Sequence, residues 1–136
     1  LVEAPAGLLD KPGEAYHDAV ARELYEEGHV RAREWRVLVD YFTSPGRTNA
    51  TLRVSLARDI AAVPAEERHD GEDDEADLPT AWVPLDELVT RVLAGELHNP
   101  TLCVGVLATW TALHGAGFDA LRPADVPWPS REAVPR

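Results

Sequence analysis

Near residue 28 the periodicity of the chain changes, and this change constrains the fold more than any other feature. Residues 15–27 all tolerate a helix, and Tyr16, Val20 and Leu24 recur every four residues, the spacing of one helix face. Gly28 follows, a residue type that takes up the left-handed backbone with which helices often close. Residues 35–42 and 51–60 are instead rich in β-branched and aromatic side chains and flank a Ser44-Pro45-Gly46 turn, so they read as two strands joined by an eight-residue loop. A helix feeding paired strands calls for a layered domain, because the apolar stripe of one and the apolar face of the other must bury against a partner layer. The expected class is therefore α/β or α+β.

The flanking segments are less regular. Residues 3–14 hold two prolines and two glycines and read as an extended piece running into a shaped loop. Residues 61–80 are polar and acidic without period, a length at which a loop is usually functional or disordered. Residues 81–83 are a short strand candidate, and Pro84 suits the start of a helix over 85–94 that Gly95 stops. After Asn99-Pro100 a second helix is expected over 101–114, apolar on most sides and so packed against a sheet. Trp35, Trp82 and Trp110 are expected in the core, and Cys103 as a buried structural thiol. The domain is expected to span 1–117. Residues 118–136, with four of the 11 prolines, are expected as a surface tail in which Trp128 is available to cover a partner surface. The chain has no methionine and begins Leu1-Val2-Glu3, so a preceding segment is expected.

Charge narrows the partners. The 24 acidic residues outnumber the 13 Lys and Arg, giving a formal charge of −11. Such a surface repels phosphate backbones and excludes nucleic acid as a general partner. No apolar run approaches the ~20 residues that cross a bilayer, and one cysteine forms no internal disulfide. A cytoplasmic protein without a membrane partner is expected. The excess charge is local: residues 14–27 hold five acids and one arginine, residues 66–77 eight acids and one arginine, and the remainder balances. His17, His29, His69, His98 and His114 show no metal-ligand spacing with one another.

Glu23, Glu26 and Glu27 fall within an arc of roughly 100° on the first helix. Three like charges on one face repel. They form either a solvated face partly offset by Arg22, or a site for a hard divalent ion, which takes oxygen ligands and completes its shell with water and phosphate.

From Gly7 the chain reads six residues, Glu14, seven residues, then Arg22-Glu23-Leu24-Tyr25-Glu26-Glu27-Gly28-His29-Val30. This resembles the Nudix box of the Nudix hydrolases: Gly, five residues, Glu, seven residues, Arg-Glu-apolar-x-Glu-Glu-x-Gly-apolar. Five fixed-type positions from Glu14 to Glu27 match in register. The first loop is one residue longer, and His29 stands where the box has glycine, so Gly28 is expected to supply that turn. Glu3-Ala4-Pro5-Ala6-Gly7, Pro45 fifteen residues after Val30, the acidic loop ending Asp74-Glu75-Ala76-Asp77 and the 95–100 junction resemble the ADP-ribose pyrophosphatase group. The resemblance covers residues 3–117.

The resemblance implies a Nudix-type α/β/α sandwich with a mixed sheet whose early strands precede Leu1. It implies Mg2+-dependent hydrolysis, with Mn2+ as substitute, of the diphosphate bond of ADP-ribose or a related nucleoside diphosphate sugar, giving AMP and a sugar phosphate. Glu23 and Glu27 would be direct metal ligands, joined by Glu26 and the carbonyl of Ala6. Glu14 and Arg22 would form the ion pair fixing loop to helix, and Glu3 would lie beside the substrate. Glu75 is the favoured general base, with Asp74 and Glu72 as substitutes, in a loop that otherwise reads as a solvated acidic segment. Pro45, Gly46, Arg47 and Asn49 are expected at the substrate, and the full-length protein as a homodimer. The alternatives are another diphosphate substrate and a nucleotide-binding module that does not cleave.

Overall fold

The computed structural model describes residues 1–68 and 79–133. Helix α1 (Tyr16–Gly28) starts after Ala15, whose side chain caps nothing, and buries Ala19. It closes on His29, which takes the left-handed backbone itself (φ 53°) and donates its N–H to the Tyr25 carbonyl at 3.2 Å. The turn expected of Gly28 is thus made one residue later, at the box position where glycine is usual; histidine is among the residues that tolerate this region. Gly28 sits in a tight spot instead, where a Cβ would come within 3.2 Å of the end of the Leu24 side chain.

Strands β1 (Val30–Phe42) and β2 (Thr51–Ala62) pair antiparallel from Val30↔Ala62 to Phe42↔Thr51, with a bulge between Val37 and Val39. Both are longer than the side-chain pattern indicated. Val30-Arg31-Ala32-Arg33-Glu34 carries little β-prone character, and it becomes strand because 58–62 complete the ladder opposite it. Helices α2 (Leu85–Leu93) and α3 (Pro100–Leu113) follow. Asn99 caps α3, accepting the Leu102 N–H at 2.9 Å, and Pro100 takes the first helical position.

The last segment departs from expectation. It adds β3 (Arg122–Pro123), which pairs antiparallel with Arg36 and Val37 of β1, and a short α4 (Pro129–Glu132). Phe118 and Trp128 are buried at 5% and 4% exposure. The sheet order is β2-β1-β3, and every pairing among the described residues is antiparallel. Arg53 and Val54, adjacent in β2, point to opposite faces. Arg53 lies beneath the Trp128 ring, whose edge meets Tyr16 of α1, while Val54 meets Gly105 of α3. The sheet therefore stands between α1 with the final segment and α3, an α/β/α arrangement.

Residues 81–83 form no strand, and Trp82 is 80% exposed rather than in the core. A β-prone triplet needs a neighbouring strand, and none among the described residues pairs with it. Trp35 and Trp110 are half-buried, as is Cys103, whose Sγ lies 3.3 Å from the Leu97 carbonyl. No helix among the described residues is long and apolar enough to cross a membrane.

Candidate functional site

One guanidinium organises the acidic face of α1. Arg22 Nε and Nη2 donate to the two carboxylate oxygens of Glu14 at 3.0 and 3.1 Å, the bidentate geometry that a planar fork allows. Its remaining arm, Nη1, donates to Glu23 at 2.7 Å and Glu26 at 3.2 Å. All four side chains are mostly buried, between 15% and 23% exposed. Glu14 belongs to the turn that precedes α1, and its N–H donates to the Lys11 carbonyl at 3.2 Å. The pair thus ties that turn to the second turn of the helix.

The opening segment reaches the same face from the other side. The Ala6 N–H donates to Glu27 Oε2 at 3.0 Å. Gly7 lies so close to the Glu23 carboxylate that a Cβ at position 7 would overlap its atoms. At the glycine that opens the box, backbone and carboxylate thus meet directly, and an added side chain would have to displace the end of Glu23. Further along, Glu3 accepts from Asn99 Nδ2 at 3.3 Å, which links the first residues to the cap of α3.

One guanidinium serves three of the carboxylates on this face: Glu14, Glu23 and Glu26 share Arg22, and the last turn of α1 has no basic residue. Glu26 and Glu27 sit at the negative end of the helix dipole, where each acid costs about 0.3–1 kcal/mol. The hydrogen bonds from Arg22 hold the Glu14 carboxyl below its ordinary range, against the opposing effect of desolvation. The same bonds raise Arg22, which stays charged at any working pH.

Among the described residues, no three carboxylate, histidine or cysteine side chains converge as a ready-made metal cage. The donors on this face are nevertheless all hard oxygens, the type magnesium takes with several waters and few protein ligands. Ala6 contributes its N–H to the face. Pro45, Gly46, Arg47 and Asn49 are exposed in the loop between β1 and β2 and, with Phe42 and Thr48, line a separate open cavity of about 530 Å³. Glu75, Asp74 and Glu72 lie outside the described residues.

The NUDIX domain profile matches residues 1–102 of this sequence. The chain belongs to the Nudix family. It is 43% identical over 131 residues to the ADP-ribose pyrophosphatase of Mycobacterium tuberculosis, a match covering 96% of this chain and 61% of that protein. It is 35% identical over 99 residues to the ADP-ribose pyrophosphatase of Bacillus subtilis, covering 73% of this chain and 51% of that protein. The chain thus spans between half and three-fifths of the curated relatives it matches. A solved ADP compounds hydrolase shares the fold, with a TM-score of 0.67 at 24% identity, over 82% of this chain and 57% of that one.

Two participants in the Nudix face escaped the sequence reading. Asn99 carried a legible signal, an Asn-Pro pair at a helix start, but nothing local says that its amide also reaches Glu3. The contact of Glu23 with Gly7 spans sixteen positions and is set by where the opening segment lies across α1.

Proposed function

We propose that this Nudix protein hydrolyses the diphosphate bond of ADP-ribose or a related nucleoside diphosphate sugar, releasing AMP and a sugar phosphate. The observation that carries the reading is the face on which Gly7 and Ala6 press against Glu23 and Glu27 while Arg22 gathers Glu14, Glu23 and Glu26. A solvated surface has no use for that crowding, whereas a polyphosphate site served by divalent cations does. The names of the two curated relatives point to the same substrate class.

Glu23 and Glu27, with Glu26 and the backbone of Ala6, would hold Mg2+, or Mn2+ in its place. Bound there, the ion supplies electrostatic stabilisation of the diphosphate oxygens and lowers the pKa of water. The chain's own residues do the rest. Glu14 and Arg22 hold the opening segment against α1. Glu3, steadied by Asn99, stands beside the substrate, and Pro45, Gly46, Arg47 and Asn49 meet it from the loop between the long strands. Glu75 takes the proton of the attacking water, with Asp74 and Glu72 as its substitutes. The same reading makes the full-length protein a cytoplasmic homodimer whose partner is the nucleotide sugar, not nucleic acid or a membrane.

The test is incubation with ADP-ribose and Mg2+ beside a Glu27→Gln variant, with AMP quantified. AMP release by the parent and a fall of about 10²–10³-fold in the variant, the scale of losing one charged group at a reacting centre, is the expected result. Equal rates, or tight ADP-ribose binding by calorimetry without turnover, would overturn it.

A further inference from the structure

The segment after residue 117 lies beyond the stretch that the NUDIX profile matches, yet it reaches the catalytic helix. Its anchor is Arg53 on β2, whose side chain is 5% exposed. Arg53 donates twice to Asp40, at 2.8 and 3.0 Å, and once each to the carbonyls of Val126 and Pro127, at 2.8 and 3.0 Å. Its guanidinium also lies 4.9 Å from the Trp128 ring centre. Arg122 adds a second grip on Asp40 at 2.8 Å, and Ser130 meets Thr51 at 3.3 Å. Removing this segment would take from Arg53 both carbonyl acceptors and the ring over it, so the segment is fastened to the sheet rather than laid on it.

What the fastening presents is the indole of Trp128. Its edge packs on Tyr16, with ring centres 5.2 Å apart and planes at 80°, a favoured aromatic geometry. Tyr16 is the first residue of α1 and stands two positions after Glu14. The cap residue between them, Ala15, gives the helix no side-chain hydrogen bond, a device elsewhere worth about 1 kcal/mol. The first turn of α1 is held by the buried Ala19 and by His17 against Trp35, with the Trp128 contact at its first residue and the Glu14 and Arg22 pair just before it. The indole N–H is buried and meets no hydrogen-bond partner among the described residues, so the contacts of Trp128 here are those of its ring with Arg53 and Tyr16.

We propose that Trp128 is a positioning residue of the active site: through Tyr16 it sets the start of α1, and with it the place at which Glu14 receives Arg22. The kinetic part rests on the hydrolase reading above.

The experiment compares Trp128→Ala, Trp128→Phe and Tyr16→Leu, the last removing the ring contact without touching Arg53. The expected result is a kcat lowered about tenfold by Trp128→Ala and Tyr16→Leu, with KM for ADP-ribose changed less than twofold. Trp128→Phe, which keeps a ring and deletes the unpartnered N–H, stays within twofold of the parent. In a Glu14→Ala background, Trp128→Ala and Tyr16→Leu cause no further loss, because the residue through which they act is gone. Hydrogen exchange supplies a readout independent of activity: in both variants the amides of residues 19–22 exchange at least tenfold faster, while those of 104–113 are unchanged. An inactive parent would overturn the hydrolase reading and leave the exchange result standing. Unchanged exchange at 19–22, or an undiminished loss in the Glu14→Ala background, would overturn the positioning role. If Trp128→Ala does not fold, Tyr16→Leu decides alone.

Discussion

Arg22 and Arg53 each grip a carboxylate with two parallel hydrogen bonds, but their surroundings are opposite. Arg22 serves Glu14, Glu23 and Glu26 on a face that carries more acid than base. Among the described residues Arg53 has Asp40 as its only acid, shared with Arg122, and spends its other donors on backbone carbonyls under an aromatic ring. The first cluster sets three carboxylates against one guanidinium beside the backbone of Ala6 and Gly7. The second is saturated. The difference separates a site from a joint: unspent charge draws a ligand, whereas spent charge fastens one piece of chain to another.

The largest effect should come from breaking the joint. Arg53→Ala leaves Asp40 with Arg122 alone and two carbonyls without their donor, and a loss of about 3–5 kcal/mol is expected for a buried pair broken on one side. Urea unfolding measures it. A loss below about 1 kcal/mol would mean that the final segment is not held as described.

The site should behave in the other way, losing function more than stability. Gly7→Ala forces a Cβ into the space of the Glu23 carboxylate. Turnover is expected to fall about tenfold or more, equivalent to ~1.4 kcal/mol of transition-state stabilisation. The unfolding midpoint should barely move, since position 7 is exposed. A variant that loses stability and keeps its rate would reverse the comparison.

The smallest effect is the pH response, which both clusters share. Glu14 is held below its ordinary value near 4.5 by Arg22. At Asp40 burial pushes the carboxyl up, and the hydrogen bonds from Arg53 and Arg122 outweigh it, leaving it below 3.8. A carboxyl whose folded pKa is depressed contributes stability above its unfolded value and loses it as pH falls through the folded one. Stability is therefore expected to hold from pH 7 to about 5 and to fall below about 4.5. Glu14→Gln should flatten the upper part of that fall and Asp40→Asn the lower part. Acid titration of the urea midpoint for the three proteins checks the order.

Much of the site was legible because its chemistry is local. Glu14 and Arg22 are eight residues apart, and Glu23, Glu26 and Glu27 share one helix, so spacing alone places them on a common face. Helix α2 and the Asn99-Pro100 start of α3 were legible for the same reason, since caps and stops are short-range signals. Trp82 and Trp128 were not. Their roles were exchanged: the one expected in the core is exposed, and the one expected at a partner surface is buried against Arg53 and Tyr16. Which large side chain is covered depends on what arrives from elsewhere in the chain.

Sequence by itself determined the box, the helix that carries it, the hairpin that follows and the concentration of acid on that helix, all consequences of periods and spacings over a turn or two of chain. Only the tertiary structure decided that Gly7 abuts Glu23, that His29 rather than Gly28 turns the helix end, and that a proline-rich terminus closes onto the sheet. Those outcomes rest on contacts between distant segments, whose free energy exists only once the chain has brought them together.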